Sequence, residues 1–99
     1  MRKSRKTYVI CYDVRDNRRR SKLARYLEGR GVRVQFSVFE LLVDRGELDE
    51  VLAEVTASPL FEPEEDSLRC YALCGSCVDE TKVFGTSIEL QVAGESIVV

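Results

Sequence analysis

Thr7 to Val14 is an apolar, β-branched run with few polar breaks. That is the pattern of a central strand buried on both faces. Asp16 or Asn17 then stands where a cap is needed, and a helix is expected to about Arg30. Leu23, Ala24 and Leu27 give this helix a narrow apolar stripe, and Gly29 and Gly31 end it, Gly31 being the better candidate for a left-handed terminus. Val32, Val34, Phe36 and Val38 are apolar at even positions, whereas Phe39, Leu41 and Val43 continue at odd ones. A period-2 pattern that changes parity predicts a bulge or a tight turn. Two short strands meeting near Ser37 are favoured over one long bent strand. Leu48, Val51, Leu52 and Val55 recur at i, i+3, i+4, i+7 and predict a second helix over Glu47 to Ala57, with an acidic exposed face. Ser58 to Asp66 holds two prolines and four acids and reads as a loop; Ser67 to Leu73 reads as a strand.

The resulting order, β-α-β-β-α-β, is satisfied most economically by two helices on one face of an antiparallel sheet, an α+β, ferredoxin-like fold. Residues 1–80 make that domain. Residues 81–99 include Val83, Phe84, Ile88, Leu90 and Val92 and are too apolar to hang in water. They are expected to add a strand to a sheet edge, that of a partner subunit in a homodimer.

Charge alters this picture more than composition does. The net charge is only -2. Residues 1–35 nevertheless hold twelve of the fifteen Lys and Arg and three acids, a net of +9, and residues 36–99 hold three bases and fourteen acids, a net of -11. Charged residues do solvate helices, but a cluster of cations on an acidic protein also suits a polyanion. No apolar run is long enough to span a bilayer, and the basic MRKSRK start lacks an apolar signal core, so the chain reads as cytoplasmic with no membrane partner. There is no histidine, which excludes Ser–His and Cys–His nucleophilic mechanisms. Cys74-Gly75-Ser76-Cys77 lacks the four ligands that zinc needs, and a reducing compartment argues against a disulfide. It reads as a turn with small, buried thiols.

"YDVRDNRRRSKLARYLEGRGVRVQFSVFE", Tyr12 to Glu40, resembles the hallmark region of the CRISPR-associated "Cas two" family: a Y-D-V-x-D turn, an R-R-x-K-L helix start and R-V-Q-x-S-V-F-E. The later "LRCYALCGSCVDETKVFG" is similar to the family's fourth strand, Cys-containing turn and short fifth strand. The resemblance covers roughly residues 7–85. It implies a small ferredoxin-like homodimer of the machinery that captures new spacers, acting as a Mg²⁺- or Mn²⁺-dependent endonuclease on RNA or double-stranded DNA. It implies equally a non-catalytic bridge that holds DNA between copies of a larger integrase subunit. An RNA-recognition domain shares the element order, but VRVQFSVF lacks that domain's glycines.

The family's metal ligand is the acid ending the first strand, here Asp13. One carboxylate is a poor Mg²⁺ site, so two copies of Asp13 would have to face each other across the dimer. Arg18, Arg19, Arg20 and Lys22 sit where cations oppose the helix dipole, so phosphate binding explains them better than local stability does. Arg33 joins them as a candidate nucleic-acid contact. Tyr12, Asp16, Ser37 and Phe39 are supporting positions, Asp16 serving most simply as the helix cap and Phe39 as core. Arg33 and Ser37 are expected on one side of their strand.

Overall fold

The computed structural model describes residues 4–57, 59–85, 90–92 and 95–97. Its elements are β1 (Lys6–Asp13), α1 (Asn17–Glu28), β2 (Val32–Gln35), β3 (Val38–Val43), α2 (Arg45–Val55), β4 (Ser67–Leu73), α3 (Gly75–Glu80), β5 (Leu90–Val92) and β6 (Glu95–Ile97). The first four strands form an antiparallel sheet in the order β2-β3-β1-β4, so β1 is central as its apolar run predicts, but it is not fully buried on both faces: Val9 and Cys11, on the face away from the helices, are half-buried. Tyr8, Ile10 and Tyr12 alternate towards one face, where they meet Phe39, Leu41 and Val43 of β3. Leu23, Ala24 and Leu27 of α1 and Leu48, Val51 and Val55 of α2 close the same cluster. Both helices therefore cover one face of the sheet, the ferredoxin-like α+β arrangement.

The helix ends follow from their side chains. Asp16 caps α1, its carboxylate accepting from the Arg19 N–H at 2.9 Å. α2 starts two residues before the expected Glu47, because Asp44 and Glu47 form a reciprocal capping box: Asp44 Oδ1 accepts from Glu47 N at 2.8 Å and Glu47 Oε1 from Asp44 N at 2.9 Å. The parity change is a hairpin: β2 and β3 turn at Phe36–Ser37, and the register shifts between Arg33 and Gln35. That shift overturns the shared side expected of Arg33 and Ser37. Arg33 pairs with the core residue Phe39, whereas Ser37 lies in the turn, where its carbonyl accepts from Tyr12 N.

Three further expectations are corrected. Gly31 is not left-handed; among the described residues a positive φ belongs to Gly85, at 90°. Gly31 is needed for closeness instead. A Cβ there would overlap the Glu40 carbonyl oxygen and sit 2.9 Å from Leu41 Cδ1, because the chain enters β2 hard against β3. The C-x-x-C segment is helix rather than turn, and Cys74 and Cys77 are exposed rather than buried. Residues 82–84 are not a strand, and Phe84 is exposed. Ile88 lies outside the described residues, and within the chain β5 pairs with β6 in a separate two-stranded sheet.

The two glycines after α1 make a paired test. Gly31→Ala should destabilise the fold by roughly 2–4 kcal/mol, since backbone rather than a flexible side chain must give way. Gly29→Ala meets only the Tyr26 carbonyl at 3.6 Å with φ at -79°, and should stay within about 0.5 kcal/mol of wild type. Urea unfolding of both variants measures the difference, and equal midpoints would refute the close-approach account.

Candidate nucleic-acid interface

β1 ends at Asp13, which pairs with Ser67 at the start of β4 and is exposed. The chain then dips through buried Val14 and turns into α1. Asp66, with a side chain that has no exposed surface, holds this turn. Its carboxylate accepts from the Arg15 N–H at 2.9 Å, the Glu62 N–H at 2.9 Å, and Arg19 Nε and Nη2 at 3.2 and 3.0 Å. Burial alone would raise the Asp66 pKa, but the Arg15 and Glu62 N–H groups and the Arg19 guanidinium outweigh it and hold the carboxyl below its ordinary value. Asp16, fully in water, is lowered too, chiefly by the Arg19 N–H that it caps.

The predicted cations divide into two groups. Arg19 is occupied by Asp66, with Glu65 at 3.4 Å. Arg20 donates to the Val14 carbonyl at 2.6 Å and contacts Asn17. Arg33 donates to the Phe36 carbonyl at 3.0 and 2.7 Å, meets Glu28 at 3.5 Å, and lies over the Phe36 and Phe39 rings. Arg18 and Lys22, in contrast, are exposed and make no ion pair or hydrogen bond through their side chains with the described residues. Arg25 shares that state and was not among the predicted contacts. At 100° per residue, Arg18, Lys22 and Arg25 stand at 0°, 40° and -20°, on the side of α1 opposite its buried stripe. The i, i+4, i+7 spacing that finds apolar stripes would have found this cationic one. It runs about 10 Å along the helix.

A groove of about 290 Å³ flanks the stripe, lined by Arg20, Arg25, Glu28, Arg33 and Phe36 among others. Phe36 is 80% exposed at its rim. Beneath Arg33, Phe39 is fully buried and its ring stacks on Tyr12, with centroids 6.3 Å apart. Phe39 is thus core and at the same time the floor under Arg33. The Tyr12 hydroxyl is buried without a hydrogen-bond partner among the described residues; burial pushes its pKa up, and the nearby Arg33 opposes this.

A metal is less well served by one chain. Among the described residues no three His, Cys, Asp or Glu side chains lie close enough together to hold an ion. Asp13 alone offers one carboxylate, so the donor set fits Mg²⁺ only if a second copy and the nucleic acid contribute.

The model of the family described as CRISPR associated protein Cas2 matches residues 6–81. The chain belongs to the Cas2 family. It is 42% identical over 78 residues to the CRISPR-associated endoribonuclease Cas2 3 of Synechocystis sp., covering 79% of this chain and 83% of that one. Among solved structures it is similar to Streptococcus pyogenes Cas2, with a TM-score of 0.69 and 26% identity over 80% of this chain and 99% of that one. It is also similar to a chain of a partial Cas6-RT-Cas1--Cas2 complex, with a TM-score of 0.60 and 31% identity over 79% of this chain and 83% of that one. Among the described residues no helix is long and apolar enough to cross a membrane.

The Asp66 network predicts a pH signature. A carboxyl whose pKa is lower folded than unfolded gives stability that is fully present above the unfolded value, near 4, and is lost as pH falls through the folded value. Asp66→Asn should lower the thermal midpoint at pH 7 by roughly 10 °C. The gap to wild type should close on acidification below about pH 4. A gap that stays constant from pH 7 to pH 3 would show that the Asp66 charge is not what holds the turn.

Proposed function

We propose that this Cas2-family chain acts in CRISPR adaptation as a homodimeric, Mg²⁺- or Mn²⁺-dependent endonuclease on RNA or double-stranded DNA. The observation that carries this reading is the placement of an unpaired cationic stripe, Arg18, Lys22 and Arg25, on the helix that follows the exposed strand-end carboxylate Asp13. Phosphates along one strand would lie on the stripe, with Arg20 and Arg33 at its flank. Asp16 and Asp66 keep the helix start and the turn in place, so the stripe and Asp13 hold a set relation. Two copies of Asp13 would share a cation, which supplies a charge that activates water for attack on a phosphodiester. The name of the Synechocystis relative, an endoribonuclease, supports cleavage of RNA.

A second reading has its own support. The similarity to a chain of a Cas1-containing complex favours a role as a non-catalytic bridge, in which the same stripe holds a DNA duplex between integrase subunits and Asp13 is dispensable.

Replacing Arg18, Lys22 and Arg25 together with Ala should weaken duplex binding and flatten the slope of log affinity against log salt by about 2.7, at about 0.9 per lost phosphate contact. Filter binding from low to moderate salt measures it, and an unchanged slope would place the nucleic acid elsewhere.

Asp13→Asn separates the two readings. In a nuclease it should abolish Mg²⁺-dependent cleavage of RNA or duplex DNA, leave sedimentation unchanged, and leave binding equal or slightly tighter. Cleavage surviving in the variant would exclude Asp13 as the centre. Negligible cleavage by pure wild type, with spacer integration intact in Asp13→Asn, would establish the bridge.

A further inference from the structure

Cys74 and Cys77 lie apart from the interface just described, where β4 passes into α3 and the chain leaves the sheet. Cys74 is the N-cap of α3, which makes Cys77 its N3 residue. These two positions meet across the first turn, as Asp44 and Glu47 do at α2, because an N-cap side chain folds back towards N3. The consequence is direct: Cys74 Sγ and Cys77 Sγ are 3.2 Å apart, and both side chains are exposed. The other two cysteines behave differently. Cys70 pairs with Ile10 and Cys11 with Arg69, so they point to opposite faces of the sheet, and both are half-buried.

We propose that Cys74 and Cys77 form a redox-active dithiol, a modification site whose oxidant is a low-molecular-weight disulfide and whose product is an intrachain disulfide. Moving the sulfurs from 3.2 Å to the roughly 2.05 Å of a disulfide is a small adjustment of two exposed side chains. The order of events is set by the surroundings. Hydrogen bonds with the Ser76 hydroxyl, 3.2 Å away, and then with Cys77 hold the Cys74 thiol down to about 7, while the contact with Cys74 raises Cys77. Cys74 is therefore the attacking thiolate. It bonds to one sulfur of the small disulfide and expels the other half as a thiolate. Cys77 gives its proton to water and attacks the Cys74 sulfur, expelling the second half. Two protein thiols are oxidised to one disulfide, and one small disulfide is reduced to two thiols. In a reducing cell the dithiol form persists, and a rise in the disulfide pool closes the pair. The closed bond ties Cys74 to the first turn of α3, beyond which residues 81–99 continue. The other anchor of that turn is Val78, buried at 4% exposure.

The test uses the full chain, reduced and then equilibrated at pH 7 with mixtures of reduced and oxidised glutathione. Acid quenching, alkylation and peptide mass mapping read the products. Wild type should lose two hydrogens in the peptide bearing residues 74 and 77, regain them with dithiothreitol, and leave Cys11 and Cys70 open to alkylation once denatured. Cys77→Ser should stop at a glutathione adduct on Cys74, because the resolving thiol is gone. Both sites are exposed, so the variant should fold, and its thermal midpoint confirms this. A glutathione adduct that persists in wild type, a disulfide between two chains, or no oxidation under the most oxidising mixture would overturn the proposal. So would a stoichiometric zinc that copurifies with the protein and shields both thiols from alkylation.

Discussion

A single buried carboxylate organises the working end of this fold. Asp66 follows a loop rich in acids and prolines, yet its side chain is withdrawn from water and satisfied by two backbone N–H groups and one guanidinium. A buried carboxylate is tolerated only with such a full set of donors. The donors come from three places: the turn after β1, the start of α1 and the loop itself. The bond network thus joins segments some fifty residues apart in sequence. With the turn fixed at Arg15, the end of β1 and the first residue of α1 have little freedom relative to each other. Asp13 and the helix beside it behave as one rigid unit.

That network also sorts the arginines. In the run Arg18-Arg19-Arg20, three identical side chains leave the helix 100° apart and meet three environments. Arg19 turns to Asp66 and is spent on structure. Arg20 lies towards the buried stripe and reaches back to the Val14 carbonyl. Arg18 points to water. A charge count treats them alike, whereas only an unpaired cation releases counterions when it meets a phosphate.

The difference explains what was legible beforehand. The apolar stripes of both helices could be read from periodicity, because burial of one face is what stabilises them, whereas β1 was legible as a nearly unbroken apolar run and β4 from its composition. The α1 cap and the hairpin near Ser37 were legible for the same local reasons: a carboxylate beside free N–H groups, and a change of parity. The pairing of Arg19 with Asp66 was not, since forty-seven residues separate the partners and no local rule links them. Nor was the purpose of Gly31, which depends on a neighbouring strand rather than on its own φ. α3 escaped notice because it is one short stretch anchored by Val78 alone, with no repeat to detect. Arg25 was legible in principle. It stands seven residues from Arg18, so the helical spacing that marks an apolar stripe marks this cationic one as well.

The two helices on this face carry opposite signs: α1 exposes Arg18, Lys22 and Arg25, and α2 exposes Asp49, Glu50 and Glu54, the last of which accepts from the Tyr26 hydroxyl of α1. The two helices thus differ in sign, while the net charge of the chain is only -2. In the field of a polyanion the first effect is a torque rather than a pull. Under the proposed role, the chain would turn before it is drawn in, with α1 leading and α2 trailing. Copies arriving along one nucleic acid would, under the same proposed role, therefore share a heading, each with its acidic helix turned to the solution.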